Sequence, residues 1–212
     1  MAEDSEQRVN RLERRKQRTR AALVRAAQAL IAEGRLNVPV LEITQAADVG
    51  MGSFYNHFDS KEQLFEVAVS DVLDTHGAVL DHLTADIEDP AAVFACSFRL
   101  TGRFFRERPQ ESRILLANWS ALMTSDKGLA PRAMRDIKAA VAAGRFDIDD
   151  PELALTVAAG ALMGLGHLLE RQPQRDAGAT ADAVTESVLQ LFGMSPEDAR
   201  EVCALPLPDL DY

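Results

Sequence analysis

Phe54 and Phe58 lie four residues apart in the stretch Ala47-Asp48-Val49-Gly50-Met51-Gly52-Ser53-Phe54-Tyr55-Asn56-His57-Phe58. Asp48-Val49-Gly50 breaks the chain before this stretch, and Asp59 or Ser60 caps a new helix after it. A helix this short does not hold itself together in water, because nucleation costs more than its few hydrogen bonds return. It forms only if both rings are pinned in a core that neighbouring helices supply. Ile43, Ala47 and Val49 are placed to meet them, which leaves Met51, Gly52, Ser53, Tyr55, Asn56 and His57 on the outer flank.

Helical periodicity dominates the remainder. Leu23, Ala27, Leu30 and Ile31 form an apolar stripe in a helix over about 11–33, which Gly34 ends. Residues 1–10 are polar and read as loose. Pro39 suits the first turn of a short helix over 40–47, with Val40 or Leu41 and Ile43 turned inward. A third helix runs over 51–58 and a fourth continues towards Leu83. Asp89-Pro90 opens a helix ending near Pro109, and an apolar helix follows over 110–124. A shorter helix covers 131–143, Asp150-Pro151 opens one over 151–172, another covers 180–192, and Ser195-Pro196 opens a small last helix. No strand and no repeat emerges. The fold expected is all-α, with nine to ten helices, divided into an N-terminal domain over 1–62 and a C-terminal domain over 63–212.

Hydrophobic residues make up 47% of the chain and charged residues 26%, the composition of a globular protein. No apolar run looks long enough to span a bilayer, no signal-peptide core is present, and Cys96 and Cys203 lack a paired spacing. A cytoplasmic location is the simplest expectation. The net charge is −10, yet eight Arg and Lys face a single acid, Glu13, between Arg8 and Arg25. A basic segment on an acidic chain is either a polyanion-binding end or a solvated tail, and charge alone leaves both open.

Two short helices joined by a tight turn are the helix-turn-helix arrangement, whose second helix enters the DNA major groove. Each exposed residue then has a task. Gly52 allows close backbone approach. Ser53 and Asn56 can exchange hydrogen bonds with base edges or phosphates, and Tyr55 and His57 can donate to phosphate oxygens. Arg15, Lys16, Arg18 and Lys61 supply charge, and Met51 completes the face. Taken singly, Tyr55, His57 and Met51 fit a half-buried core equally well.

The segment Asn37–Phe65 resembles the DNA-binding domain of TetR-family transcriptional repressors. Gly52-Ser53-Phe54-Tyr55-Asn56-His57-Phe58 and Ser60-Lys61-Glu62-Gln63-Leu64 carry the resemblance, which is specific over about 18–65. Three positions depart from the family pattern. Asp48 stands where Gly is usual, Gly50 where Ser or Thr is usual, and Thr44 where Ala is usual. Asp tolerates a left-handed backbone, so the turn is expected to survive. The missing hydroxyl at Gly50 removes a helix cap.

The resemblance implies a homodimeric, ligand-responsive repressor that binds a palindromic DNA operator and is released by a small effector. It implies that the eighth and ninth helices form the dimer interface, with Gly160, Ala161, Gly164, Leu168, Val188 and Leu191 as candidates. The slim Gly- and Ala-rich eighth helix could equally pack within one subunit. By the same resemblance Phe94, Phe98, Phe105, Trp119, Met123, Met163 and His167 enclose a pocket for a hydrophobic effector, although ordinary core explains any one of these aromatics. The fourth helix, running from Lys61 into the effector region, is the expected lever between ligand and operator.

No metal-ligand spacing, phosphate loop or nucleophile motif accompanies the four histidines, so neither catalysis nor a cofactor is expected. The competing reading is a helical protein-interaction module without sequence-specific DNA binding.

Overall fold

The computed structural model describes residues 2–118, 123 and 128–209. Trp119 lies outside them. Ten α-helices and no strand occur among the described residues: α1 (Ala2–Ala32), α2 (Val40–Ala46), α3 (Met51–Phe54), α4 (Lys61–Leu83), α5 (Pro90–Glu107), α6 (Pro109–Ala117), α7 (Leu129–Ala142), α8 (Pro151–Arg171), α9 (Ala177–Leu191) and α10 (Pro196–Ala204). They form two compact units, Met1–Asp71 and Val72–Tyr212.

In the first unit α1 packs on α2 and α2 on α3. Leu23, Ala27, Leu30 and Ile31 are buried as their spacing requires. The helix ends in a Schellman motif: Gly34, at φ +74°, donates to the Ile31 carbonyl, and Arg35 N–H reaches back to Leu30. Helix α1 starts at Ala2, well before the apolar stripe, because the Glu, Gln and Arg residues there favour helix without needing a core. Between Val40 and Leu41 the structure selects Val40 as the half-buried residue, with Leu41 exposed. Ser60 caps α4, and Gln63 ties the cap to the preceding residue. Ser60 Oγ accepts from Gln63 N–H at 3.1 Å, and Gln63 Oε1 accepts from Asp59 N–H at 2.7 Å.

The second unit is organised around α5, which packs against α7, α8, α9 and α10. Its core is aromatic: Phe94 meets Phe146 and Phe192 at centroid distances of 5.8 and 5.4 Å, and those two rings lie 5.2 Å apart. Arg99, buried in this interior, bonds Asp182 at 2.7 Å and the Leu205 carbonyl at 2.8 Å. Arg103 completes a bidentate contact with Asp182, so α5 and α9 are clamped by two guanidinium groups on one carboxylate.

Three helix boundaries of the second unit differ from the periodic pattern, each for a local reason. Helix α6 stops at Ala117, where Asn118 turns non-helical and its amide donates to the Ile114 carbonyl. Helix α7 starts at Leu129, directly after Gly128 at φ +86°. Helix α9 starts at Ala177 because the Asp176 carboxylate accepts from Ala179 N–H. Helix α8 is more apolar than the sequence reading allowed: a window of 18 of its 21 residues reaches a mean hydropathy of 1.5, a value that core helices of globular proteins also reach, and a third of that window is buried within the chain.

A Cβ at Gly102 would stand 2.5 Å from Ala181 Cβ and 3.0 Å from Leu165 Cδ2, so this glycine sets how closely α5 approaches its neighbours. We expect Gly102→Ala to destabilise the protein by about 1–3 kcal/mol through overpacking, read as a lowered midpoint in urea denaturation. An unchanged midpoint would mean the helices can part at no cost.

Candidate nucleic-acid interface and ligand cavity

Phe54 is fully buried and Phe58 nearly so, with ring centroids 6.0 Å apart, and Ile43 closes the same core. Val49 and Ala47 are half-buried beside it. The turn holds because Asp48 adopts φ +52°, alone among the described non-glycine residues in the left-handed region. Thr44 is buried and satisfied, its hydroxyl donating to the Leu41 carbonyl at 2.9 Å. Gly50 occupies the N-cap of α3 and offers no side-chain bond, as its lack of a hydroxyl dictates. The regular helix of α3 covers Met51–Phe54, and Phe58 N–H still reaches the Phe54 carbonyl at 3.0 Å.

The outer flank is open. Tyr55 is 60% exposed and Met51 48%, while Gly52 and Asn56 are exposed and Ser53 and His57 half-exposed. Tyr55 packs its ring edge-to-face on Phe54 at 5.1 Å, so a buried ring orients an exposed one. Arg15, Lys16, Thr19, Ser53, Asn56 and His57 line one open groove, which joins α1 to the recognition helix. Arg18 is exposed on α1. Arg20 lies over the Phe58 ring at 5.2 Å. Partial burial, then the Lys16 and Arg20 cations, lower the His57 pKa below its ordinary 6.5. The imidazole is therefore neutral at pH 7 and able to donate one N–H. Lys61 is half-buried and tied back by its ammonium to Asn37 Oδ1 and the Val38 carbonyl, both at 3.3 Å, so it also fastens the α1–α2 connection.

Two adjoining cavities of about 60 and 50 Å³ occupy the second unit and share Phe94, Phe98, Leu129, Ala133 and Leu162. The smaller is walled by apolar side chains, including Met123 and Leu155. The larger carries a polar end formed by Asp81, Arg132, Arg135 and Asp136, with Ser97 and Thr101 on its wall. Asp81 accepts from Arg132 Nε at 2.6 Å and from Arg135 at 2.9 Å. Arg135 Nε donates to Asp136 Oδ1 at 2.8 Å. Burial works to raise the Asp81 pKa, but the hydrogen bonds from Arg132 and Arg135 outweigh it and hold the carboxyl below the usual range. At Asp136 burial wins and its pKa is raised despite Arg135.

Of the expected pocket residues, Phe94, Phe98 and Met123 line these cavities. Phe105 instead packs over Gly166, and a Cβ there would meet its ring at 3.2 Å. Met163 is half-buried on α8, and His167 is exposed with its Nδ1 3.8 Å from Glu170. None of these three lines either cavity. The polar end was missed in the sequence. Its signal is Asp136 on α7, a carboxylate falling in the same helical stripe as Leu129, Ala133 and Ala140.

On the expected interface helices, Gly160 and Gly164 are exposed, Ala161 and Leu168 half-buried, and Leu191 is 69% exposed. Val188 corrects the expectation. At 1% exposure it belongs to its own subunit's core, so it has no surface to offer a partner.

A pinned recognition helix, a basic groove beside it and a separate helical unit with a lined cavity define a ligand-responsive DNA-binding regulator. Residues 23–68 match the family described as bacterial regulatory proteins, tetR family, and residues 89–204 match the tetracyclin repressor-like C-terminal domain. The chain belongs to the TetR family. RolR crystallised with resorcinol is 32% identical, with 94% of this chain and 100% of that one covered at a TM-score of 0.73. RolR without ligand is 31% identical over 90% and 100% of the two chains, at 0.71. FadR from Bacillus halodurans, a fatty acid degradation regulator, shares the fold at 16% identity, covering 80% and 94%, with a TM-score of 0.69. No curated protein sequence matches the chain.

His76 on α4 is buried with its ring 4.2 Å from Phe104, and its Nε2 lies 3.1 Å from Thr101 Oγ1. Thr101 already donates to the Ser97 carbonyl, so the imidazole is the donor in that pair. Burial lowers the His76 pKa to about 3. The unfolded chain therefore takes up a proton near pH 6.5 that the folded chain refuses, and stability falls as pH drops through that window. We expect a loss of about 2 kcal/mol between pH 7 and pH 5 from this group, measured by urea denaturation and absent from the pH profile of His76→Gln. Phe54→Ala should cost about 3–5 kcal/mol and abolish DNA binding, whereas Tyr55→Phe and Asn56→Ala should weaken binding with thermal midpoints unchanged. Full DNA affinity in both surface variants would remove the outer flank from the interface.

Proposed function

We propose that the protein is a cytoplasmic repressor, a regulator rather than an enzyme, that binds a palindromic operator as a homodimer and leaves it when a one-ring aromatic effector occupies the second unit. The DNA-binding domain is residues 1–62 and the effector and dimerisation domain 63–212. The observation that carries the DNA half is the exposed Met51–His57 flank held on two buried rings beside Arg15 and Lys16.

The dimer is supported by α8. Leu153 and Val157 are exposed on it, in register with the bare glycines at 160 and 164, and Leu191 is exposed on α9. An apolar helix face of this kind is covered in solution, and a second copy of the chain covers it symmetrically. Pairing through α8 and α9 would present two recognition helices to half-sites one DNA turn apart. Gly160, Ala161, Gly164, Leu168 and Leu191 are the contacts we assign.

Two small adjoining cavities suit one ring better than a long acyl chain, since drug-sized ligands need roughly 300 Å³ or more. The likeness to RolR, crystallised with resorcinol, supports an effector of that size. Helix α4 contributes Leu80 and Asp81 to the cavity wall and begins at Lys61. A ligand that displaces Asp81 shifts the same helix, and by linkage lowers operator affinity.

Gel-shift titration tests this reading. With roughly 6–10 phosphate contacts, affinity should fall by about 10³–10⁵ between 50 and 200 mM salt while preference for the palindrome persists. Salt-insensitive binding, or equal binding to every duplex, would leave the protein-interaction module as the better account.

A further inference from the structure

His57 is a half-exposed imidazole set among cations. Arg15 and Lys16 reach the open groove from α1, and Ser53, Asn56 and His57 close it from the flank of α3. Arg20, four residues beyond Lys16, lies with its guanidinium 5.2 Å from the ring of Phe58, the residue next to His57. Among the described residues no carboxylate lines the groove. The charged groups nearest to His57 along the chain are Asp59 and Lys61, and neither lines it. Lys61 is instead tied back to Asn37 and the Val38 carbonyl.

We propose that binding to the DNA backbone protonates His57, so that the protein holds its operator more tightly as pH falls through neutrality. This rests on the DNA-binding reading above and adds a regulation which that reading does not contain.

In the free protein partial burial, then the Lys16 and Arg20 cations, work against an imidazolium. The phosphates of a duplex change the sign of that field. Laid along the groove, they neutralise the cations that opposed the proton and can pair with the imidazolium directly. A neutral imidazole has one N–H to give. The imidazolium has two, and its bonds to phosphate are charge-assisted. The complex therefore favours the protonated ring and the free protein the neutral one.

Linkage then fixes the direction and the window. Above the pKa that His57 has in the complex, the ring is neutral in both states and pH has no leverage through it. Below its value in the free protein, which lies under 6.5, the ring is charged in both and the gain is complete. Between the two only the complex carries the proton, so affinity rises as pH falls, by up to about tenfold per pH unit for each ring. A dimer on two half-sites brings two such rings, and their effects multiply. The other three histidines, His76, His82 and His167, all belong to the second unit.

Fluorescence anisotropy on the full-length protein tests the proposal, with a duplex that the protein itself selects from a random-sequence pool. We expect affinity to rise by about tenfold or more from pH 8 to pH 6 at constant ionic strength. Calorimetry in two buffers of different ionisation enthalpy should count about one to two protons taken up per dimer. His57→Gln keeps an amide donor but can hold no charge. It should bind more weakly than the parent at pH 6, with a flat pH profile and no buffer-dependent heat. A flat profile in the parent, a proton count of zero, or an undiminished slope in His57→Gln would each overturn the assignment. Should His57→Gln bind no duplex, the ring-proton NMR signal of His57 in the parent, identified by its absence from the variant's spectrum, decides the matter. Its titration midpoint should rise when the duplex is added, and an unmoved midpoint overturns the proposal. Failure of the repressor reading shows separately, as a pool from which no preferred duplex is recovered.

Discussion

The burial of Phe54 and Phe58 against Ile43 is the contact on which the DNA-facing unit depends. A helix of barely more than a turn has no stability of its own, so its position is inherited from these rings. Pinning both on one side leaves the other free of structural duty, and that freedom is what lets Tyr55, Asn56 and His57 remain exposed. The edge-to-face contact between Phe54 and Tyr55 carries order from the interior to the surface. The left-handed backbone at Asp48 lets the turn close without glycine, and Lys61 with the Ser60 and Gln63 side chains fixes the entry into α4.

The second unit solves a different problem, which is to keep charge inside an apolar bundle without leaving it unpaired. It does so twice. Arg99 and Arg103 share Asp182, which accepts on both oxygens, and the pairing serves as a clamp between α5 and α9. Asp81, Arg132, Arg135 and Asp136 are paired as well, and they border a cavity. Helix α8 poses the reverse case. Its apolar content is greater than one subunit's core uses, and the surplus lies on an exposed face lined by glycine and small side chains.

Most of the fold was legible because helix formation is governed by local periodicity and punctuation. Asp89-Pro90, Asp150-Pro151 and Ser195-Pro196 open helices as capping chemistry requires, and Gly34 closes one. The differences lie where a helix was read straight through Asn118, at the end of α6, or where polar content was taken for disorder, as at the start of α1. The exposure of the Met51–His57 flank was legible too, since residues left over after the core is assigned must face outward. The cavity was not. Phe94, Phe98 and Met123 were picked out by residue type, but the same rule picked His167, which is exposed, and Phe105, which packs over Gly166.

The sequence by itself determined the all-helical fold and which side chains of the Met51–His57 stretch are left exposed, because each follows from contacts local to its own helices. Only the tertiary structure decided which polar groups meet across the second unit. Asp81 and Arg132 are joined by the approach of α4 to α7 over a glycine, and no periodicity within either helix encodes that distance. It likewise decided that Val188 is interior and Leu191 exposed, though they are three positions apart on one helix, since exposure depends on what packs against each side.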